Sequence, residues 1–277
     1  MTALAAALAA AERSGVVIQS VELPSEQDAA REVFDAVWPG EGTQVTPNLL
    51  RAITYSGGYA SVAYESGVPI GAALAIVGVR NGVTLLHSHM AAVLEGERDR
   101  QIGTALKLHQ RWWALEHGYS TIGWTFDPLV RRNAKLNLVK LGTEVIGYEE
   151  NFYGGMLDAI NAGDHSDRLY VWWELDSSKV QAAASGNPEV FNARELRAEG
   201  FEDALLNEDG YPRVIDTSAH ALLVAVPADI VEIRNTNRDL ALAWRLAMRE
   251  VLQQRLMSHW KIIGLTDDDR YVLTKGI

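Results

Sequence analysis

Apolar residues along this chain recur at two alternating spacings, one typical of strands and one typical of helices. Short runs rich in β-branched and aromatic residues predict strands over 16–23, 59–66, 69–79, 83–94, 121–126, 143–148 and 169–175. Asn81 and Gly82 form a hairpin signal between two of these runs, so residues 59–94 predict three successive antiparallel strands.

Helical spacing alternates with these runs and predicts four helices. They lie from a cap at Ser25 towards Trp38, around 47–55, over about 100–117, and from Asp127 to Gly142. The third of these helices carries two adjacent rows of apolar residues (Ile102, Ala105, Leu106 and Trp113; Leu108, Trp112 and Leu115). So broad an apolar surface predicts burial against a sheet. Gly118 follows the end of this helix and is suited to a left-handed cap.

After residue 175, the sequence predicts a linker followed by a separate set of elements. A polar stretch of small residues over 176–188 is interpreted as a linker. Beyond it we predict a strand over 221–227, one long helix from Asp239 to His259, and a terminal pair of strands in KIIGL and RYVL. The predicted fold class is α/β (α+β), with a mixed, largely antiparallel sheet flanked by helices and a smaller C-terminal α+β domain. The predicted domains are an N-terminal helical extension (1–15), a main domain (16–178) and the C-terminal domain (179–277).

Composition narrows the class of function. The chain has no cysteine, which excludes disulfides, thiolate metal sites and thiol nucleophiles. Its formal net charge of −11 argues against a nucleic-acid binder. The Ala-rich start has no Lys or Arg before its apolar run, and no apolar run in the chain reaches membrane length. We therefore expect a soluble cytoplasmic protein with no nucleic-acid and no membrane partner.

Positive charge is concentrated in one segment of this acidic chain. Residues 98–140 hold eight basic and three acidic side chains, a local excess of five positive charges. Such a basic zone favours a compact anionic ligand held in one place. The alternative is an ordinary helix surface with solvated lysines and arginines.

The stretch VLEGERDRQIGTALKLHQR (residues 93–111) runs from a strand through a charged turn into a helix, with Gly103 just inside the first helical turn. A helix start exposes backbone N–H groups and a partial positive charge, so it can bind a phosphate. A glycine at this position permits close approach of a phosphate to the main chain. The alternative is a strand-to-helix turn whose arginines lie in solvent.

This order of elements, together with two motifs, resembles the GNAT superfamily of acyl-CoA-dependent N-acyltransferases. The first family motif, V-x-P-x-x-R-G-x-G-x-G-x-x-L, is matched at Val93, Arg98, Ile102, Gly103 and Leu106. The second motif, A-x-x-L-Y-x-K-x-G, is matched at Ala134, Lys140, Leu141 and Gly142. The resemblance covers residues 16–175 and implies a GNAT-like sheet in the main domain.

The resemblance also implies acetyl-CoA or another acyl-CoA as co-substrate, and no metal. Backbone amides of the turn and the first helical turn would bind the CoA pyrophosphate (Arg98, Asp99, Arg100, Gln101, Ile102, Gly103 and Thr104). The end of the preceding strand would pair with the pantetheine arm (Ala91, Ala92 and Val93), and the basic zone would face the phosphates. Asn133 and Asn137 lie four residues apart on the later helix and are further candidates for contact with the CoA arm.

The chain departs from the family pattern at several positions. Gln101 replaces the first glycine of the turn, and we expect it to be tolerated with helical dihedral angles. Asp99 stands where glycine is common, and we expect it to cap the helix. Leu138 occupies the position at which many family members have a tyrosine that protonates the departing CoA thiolate. Another acid or a water must then act, with Tyr148 and Tyr153 as candidates.

An amine nucleophile must lose a proton before it attacks a thioester, so a base with a pKa near neutrality helps. His87 and His89 share one face of a strand, and we rank His89 first and His87 second as catalytic bases. The alternative for each is a hydrogen-bonded core histidine. Glu149, together with Glu150, is a further candidate, either as a base or as a binder of a cationic amine. The alternative for this pair is a solvated loop start.

The loop over 149–168 is long and Gly-rich enough to be a functional flap. Aromatic residues that could line an acceptor pocket are Trp124, Tyr153 and the Trp172–Trp173 pair, with simple core as the alternative. The run Asp164-His165-Ser166-Asp167 does not indicate a hydrolase, because no Gly-x-Ser-x-Gly motif accompanies it.

These features predict an N-acyltransferase that moves an acetyl or other short acyl group, such as succinyl, from acyl-CoA to the amine of a small molecule or amino acid. One alternative is a non-catalytic acyl-CoA-binding or sensing protein on the same fold, which Leu138 supports. Another is an assembly role, in which the C-terminal domain forms a homodimer contact through an apolar stripe on its long helix (Leu240, Trp244, Ala247 and Val251). The same stripe is also typical of intradomain core.

Overall fold

The computed structural model describes residues 1–40, 42–97, 100–154 and 164–276. Contacts divide the chain into two compact units that alternate along the sequence. The first unit comprises Met1–Trp124 and Trp173–Gly186, and the second comprises Thr125–Trp172 and Asn187–Ile277. The domain boundaries after residues 15 and 178 stay a prediction.

The strands are β1 (Val17–Ser20), β2 (Tyr59–Glu65), β3 (Val68–Arg80), β4 (Val83–Val93), β5 (Thr121–Phe126), β6 (Glu144–Glu149), β7 (Arg168–Glu174), β8 (Glu202–Glu208), β9 (Tyr211–Val214), β10 (Ala221–Val224), β11 (Trp260–Leu265) and β12 (Tyr271–Lys275). The helices are α1 (Ala3–Arg13), α2 (Pro24–Val37), α3 (Pro47–Tyr55), α4 (Ile102–Glu116), α5 (Arg131–Ala134), α6 (Ser178–Ala184), α7 (Ala193–Ala198), α8 (Ile230–Thr236) and α9 (Arg238–Met257). A π-helical segment, Lys135–Lys140, continues α5.

The strands form two mixed, mostly antiparallel sheets. One sheet has seven strands in the order β1-β2-β3-β4-β5-β7-β6, and the other has five in the order β11-β12-β10-β8-β9. β4 and β5 run parallel in the first sheet, and β8 and β10 run parallel in the second. The predicted fold class is confirmed.

Two backbone turns form at the residues that predict them. Asn81 and Gly82 both have positive φ, 53° and 78°, as a two-residue hairpin between β3 and β4 requires. Gly118 has a φ of 80° just after α4. The predicted hairpin and the predicted left-handed cap are both confirmed.

Within the first unit, α2 and α4 both contact β2 and β3. Leu74 of β3 belongs to the apolar core that includes Phe34 of α2. Gly71 lies three residues earlier and therefore on the opposite face of β3. A Cβ added to Gly71 would lie 3.1 Å from Ile102 and 3.3 Å from Leu106, so α4 packs closely on that face. The predicted burial of α4 against the sheet is confirmed.

The start of α2 differs from its prediction. The helix begins at Pro24 rather than after Ser25, and its N-cap position is Leu23. The carboxylate of Glu26 accepts hydrogen bonds from the N–H groups of Glu22 and Leu23, each at 2.7 Å. This carboxylate satisfies backbone donors at the helix start, as a capping box does, so the predicted cap at Ser25 is wrong.

The helix predicted from Asp127 starts later, at Arg131, and passes into the π-helical segment. Asp127 instead stabilises the preceding turn. Its carboxylate accepts a hydrogen bond from the N–H of Leu129 at 2.9 Å, and its carbonyl accepts one from Val130 at 3.1 Å. The predicted start is wrong because the side chain of Asp127 pairs with the turn rather than with a helix.

The stretch over 176–188, predicted as a linker, contains α6, with Ser177 as its N-cap. The alanines of this stretch are good helix formers. Val180, Ala183 and Ala184 are buried, whereas the polar residues that suggested a linker lie on the other side of the helix or beyond it. The linker interpretation is wrong.

In the second unit, α9 contacts β8, β9 and β11 of the five-stranded sheet. Its apolar stripe faces inward, because Trp244 and Val251 are fully buried and Ala247 nearly so. The stripe is intradomain core and gives no support to a homodimer contact.

Candidate functional site

Strands β4 and β5 part from each other in the first unit. Their parallel pairing consists of Leu86 opposite Ile122 and His87 opposite Gly123. Within the described residues the pairing stops there, although β4 continues to Val93. The strands therefore separate at Ser88 on β4, and the following backbone of β4 can pair with an extended ligand arm on that side.

A β-bulge lies at the same point of β4. On the side of β3, Ser88 is opposite Ala75 and Met90 is opposite Leu74, so His89 is the additional residue. Bulges re-aim side chains and are common beside active sites. Beyond the bulge, the segment predicted to bind pantetheine (Ala91, Ala92 and Val93) pairs regularly with β3.

The two candidate histidines lie side by side, with ring centroids 6.2 Å apart. Burial, together with the positive groups of His89 and Lys107, lowers the pKa of His87 to about 4. His87 is therefore neutral at pH 7 and a weak base. His89 is exposed on the bulge, and the surrounding strands shield it enough to lower its pKa as well. His89 is the more accessible of the two, and the catalytic role of either stays a prediction.

The start of α4 forms the other part of the site. Gln101 occupies its N-cap position with φ 62° and ψ 18°, the left-handed conformation, so the expected helical dihedral angles are wrong. This conformation explains why the family pattern has glycine there, since a Cβ is unfavourable in it. Arg98 and Asp99 lie outside the described residues, and the phosphate contact and helix cap expected of them stay predictions.

Gly103 lies in the first turn of α4, and a Cβ added there would meet nothing within 4 Å. Ile102 beside it is fully buried and anchors the turn. First-turn amides have no carbonyl four residues earlier in the helix to bind, which leaves them available to an anion. Thr104 satisfies its own N–H by a 2.9 Å bond to the carbonyl of Gln101.

Several described side chains of the basic zone bind within the chain. Arg100 lies 2.5 Å from Glu65 and 2.5 Å from Glu97, and it donates to the carbonyl of Ser14 at 3.0 Å. Its hydrogen bonds to these two carboxylates raise the pKa of Arg100. Other members of the zone are buried or paired with carboxylates (Lys107, Arg111, Arg131 and Lys135). These contacts hold turns and helices in place, and the expectation that the zone faces phosphates stays a prediction for its other members.

Three positions singled out in the sequence lie in or just before the π-helical segment of the second unit. Leu138 and Asn137 are buried, and Asn133 is half-buried just before the segment. The carbonyl of Asn137 accepts two hydrogen bonds from Thr143, each at 3.0 Å. Single π-helical turns are frequent at functional sites. The CoA contacts of Asn133 and Asn137 stay predictions.

In the second unit, two of the alternative acids and carboxylates are hydrogen-bonded or ion-paired to other side chains. Tyr148 donates its hydroxyl proton to Asp167 at 2.6 Å, and burial raises its pKa, so it is a poor proton donor. Glu150 forms an ion pair with Arg249 at 2.8 Å, and binding of a substrate amine by Glu149 or Glu150 stays a prediction. Glu149 is half-buried at the end of β6, and Tyr153 is exposed. The flap predicted over 149–168 lies partly outside the described residues.

Buried ion pairs occupy the second unit. Arg245 is fully buried and binds both oxygens of Asp127, at 2.9 and 2.8 Å, and Asp164 at 2.9 Å. Arg234 joins both carboxylates, at 2.5 and 3.0 Å. Burial alone would raise the pKa of Asp127, but these guanidinium groups hold it well below its usual range. The acidic run that includes Asp164 and Asp167 is therefore structural.

A lysine that the sequence analysis did not single out lies where β4 and β5 part. The Nζ of Lys107 donates to the Oγ of Ser88 at 2.7 Å and lies 3.7 Å above the ring of Trp124. Burial lowers the pKa of Lys107 to about 7. No local signal in the sequence marks this position, because Lys107 lies outside the two apolar rows of α4 and only tertiary packing buries it. Trp124 and Trp173 pack edge to face in the core rather than lining a pocket.

Among the described residues, no helix is long and apolar enough to cross a bilayer, and no group of three or more His, Asp or Glu residues is placed to hold a metal ion.

Three features of the first sheet and its helix agree with the GNAT-like sheet that the sequence resemblance implies. They are the bulge in β4, the parting of β4 from β5, and the helix that begins after the charged turn. The five-stranded sheet and its helices are additional to the seven-stranded sheet.

Comparison with solved structures finds proteins similar to this chain. An aminoglycoside 6′-N-acetyltransferase from Enterococcus faecium is 18% identical with a TM-score of 0.44, covering 58% of this chain and 98% of its own. An acetyltransferase of the GNAT family from Streptococcus pneumoniae is 16% identical with a TM-score of 0.46, covering 57% and 98%. Naa50 from Arabidopsis thaliana, solved with a CoA–peptide bisubstrate analogue, is 16% identical with a TM-score of 0.45, covering 57% and 97%. No family model and no curated protein matches the chain.

Proposed function

We propose that this chain is an acyl-CoA-dependent N-acyltransferase that transfers an acetyl or succinyl group to the amine of a small molecule or amino acid. The observation that carries the proposal is the parting of β4 and β5 at Ser88 in the same unit as the start of α4. The parted strand offers backbone groups to a pantetheine arm, and the open turn at Gly103 offers amides to a pyrophosphate.

We base the proposed amine acceptor on the net charge of the chain. The chain has a net charge of −11, which attracts cationic substrates such as protonated amines. Such an amine must be deprotonated before it attacks, and His89 on the bulge is the proposed base, with Glu149 as the alternative. The attack is direct, so the acyl group passes from sulfur to nitrogen in one transfer.

Calorimetric titration with acetyl-CoA, succinyl-CoA and free CoA tests the binding half of the proposal. We expect heat of binding for free CoA and tighter binding of one of the two acyl forms. No heat with any of the three ligands would contradict the proposal. Thiol release over a library of amines and amino acids then tests the transfer itself and identifies the acceptor.

A second function, acyl-CoA sensing without turnover, is favoured by one observation. Leu138 is buried and apolar at the position where family members carry a tyrosine acid. Saturable binding of acetyl-CoA without thiol release across the amine library would select the sensor over the enzyme.

A further inference from the structure

The place where β4 and β5 separate contains a buried polar group from α4. Ser88 is the first residue of β4 beyond the last pair with β5, and Trp124 is the first residue of β5 beyond it. Lys107 contacts both, through a 2.7 Å hydrogen bond to the Ser88 hydroxyl and a 3.7 Å approach to the Trp124 ring. One ammonium group therefore bridges the two strands at the point where they open.

Burying an ammonium group is costly unless it is paired with an opposite charge. Lys107 is 5% exposed, and no carboxylate pairs with it among the described residues. Its other hydrogen bond among the described residues goes to the amide oxygen of Gln110, at 3.4 Å. The nitrogen of that amide is buried without a hydrogen-bond partner in the described part of the chain. Packing alone favours an apolar side chain at this position, which points to a chemical use for the amine.

The titratable groups on the elements around Lys107 do not neutralise it. Burial lowers the pKa of His87 on β4 and of His109 on α4 to about 4 in each case, and it raises the pKa of Tyr59 on β2. All three are uncharged near pH 7. Arg111, one turn further along α4, is buried and donates to the carbonyl of Leu175 at 2.8 Å.

We propose that Lys107, acting through the hydroxyl of Ser88, is the acid that protonates the departing CoA thiolate. This inference rests on the proposed acyl transfer at the parted strands. The Ser88 hydroxyl accepts a hydrogen bond from Lys107 and, among the described residues, has no acceptor for its own proton. It can therefore donate that proton to a sulfur between the strands while Lys107 resupplies it.

The proton balance of the step is complete. The acceptor nitrogen bonds to the thioester carbonyl carbon, and the carbon–sulfur bond breaks with its electron pair going to sulfur. The Ser88 proton moves to sulfur, and a proton moves from Lys107 Nζ to Ser88 Oγ, which leaves Lys107 as a neutral amine. The proton lost by the acceptor amine passes to the base and then to solvent, and Lys107 recovers a proton from solvent.

The energetics of this transfer are favourable. A thiol has a pKa of about 8.5 in water, so a thiolate accepts a proton readily from an ammonium group with a pKa of about 7. Near neutral pH such an amine is present in both protonation states and can be recharged between turnovers. The pair thereby supplies the acid that is absent at Leu138.

The assignment is tested by comparing kcat of three variants with that of the wild type. The substrate is the amine that gives turnover in the thiol-release library. The variants are Lys107→Met, Ser88→Ala and, as a lysine control, Lys261→Met, which changes an exposed residue on β11. We expect calorimetric affinity for acetyl-CoA to be retained in all three. We expect kcat to fall on the order of 10²-fold or more for Lys107→Met and Ser88→Ala, and to be unchanged for Lys261→Met.

The pH profile separates proton donation from a structural role. The wild-type kcat should fall as pH rises above about 7, because the ammonium form is lost, and this limb should be absent from the residual activity of Lys107→Met. A Lys107→Met variant with wild-type kcat, or with the same basic limb, would overturn the assignment while leaving the acyltransferase proposal intact. Binding of acetyl-CoA without any thiol release would overturn it too, and only the binding half of the proposed function would remain. No CoA binding by the wild type would remove both.

Discussion

Lys107 places a positive charge where the described residues offer it no carboxylate. Its side chain lies between the sheet and α4, bound to Ser88 and above Trp124. The two apolar rows correctly predict burial of α4, but Lys107 lies outside both rows, so the pattern does not indicate where its amine lies. That position depends on the parting of β4 and β5, which is set by tertiary pairing rather than by local sequence.

The depressed pKa of Lys107 has a consequence for stability. Below pH 7 both folded and unfolded states carry the proton, and the full cost of the buried charge is present. As pH rises from 7 towards the unfolded pKa near 10.5, the folded state has lost its proton and the unfolded state has not, so stability rises. Between pH 7 and pH 9 the gain from this group is about 2 kcal/mol.

Denaturant unfolding of wild type and Lys107→Met at pH 7 and pH 9 measures this gain. We expect the variant to be more stable than the wild type at pH 7, and the difference to shrink by about 2 kcal/mol at pH 9. A difference that does not change with pH would show that the amine is not desolvated as described.

Gln101 is strained by its left-handed backbone, with φ 62°. We expect Gln101→Gly to stabilise the fold by about 1 kcal/mol, because glycine adopts this conformation without the Cβ penalty. Gln254→Gly is the matched control, since Gln254 is an exposed residue within α9. It should destabilise by roughly 0.5–1 kcal/mol. Chemical denaturation measures both, and destabilisation by Gln101→Gly would contradict the assigned strain.

At the scale of elements, side chains outside the predicted motifs decide where helices begin. The sequence predicted β2, β3 and β4 and the hairpin turn well, because alternating patterns and turn residues act locally. It placed a helix start at Asp127, where the carboxylate instead binds Arg245 and Arg234 of later helices. Such a partner lies more than a hundred positions away in the chain, and no local pattern indicates it.

The buried ion pairs between α8, α9 and the turn after β5 are expected to behave as one unit. Arg245→Met should destabilise the fold by about 3–5 kcal/mol, because it leaves Asp127 and Asp164 buried with reduced compensation. The control Arg213→Met breaks an ion pair to Glu208 in which both side chains are about half exposed, and should cost about 0–1 kcal/mol. Equal, small losses for both variants would contradict the structural role of the buried cluster.

At the scale of the whole molecule, the chain passes from the first unit into the second and back before completing the second. The sequence predicts a single domain boundary near residue 178, because a polar stretch of small residues begins there. Short elements after it (α7, β8, β9 and α8) escaped prediction. They are brief and partly exposed, and β9 even contains a proline, so tertiary pairing rather than local propensity forms them.

Truncation after Gly186 tests this interleaving. The shortened chain keeps Asp127, Asp164 and Asp167 but lacks the three arginines that bind them (Arg234, Arg245 and Arg249). We expect it to lose cooperative unfolding, since residues 125–172 lose the rest of their unit. Circular dichroism during denaturant titration is the measurement. A sharp transition in the truncated chain would show that the first 186 residues fold alone.

The central claim is that the parted strands and the open first turn of α4 bind an acyl-CoA. The most direct measurement is calorimetric titration of CoA into Gly103→Val beside Gly78→Val. In both positions a Cβ meets nothing within 4 Å, but Gly78 lies on β3 and Gly103 at the proposed pyrophosphate site. We predict that both variants fold, that Gly78→Val binds CoA like the wild type, and that Gly103→Val loses binding by more than tenfold. Wild-type CoA affinity in Gly103→Val would contradict binding of the pyrophosphate at the first turn of α4.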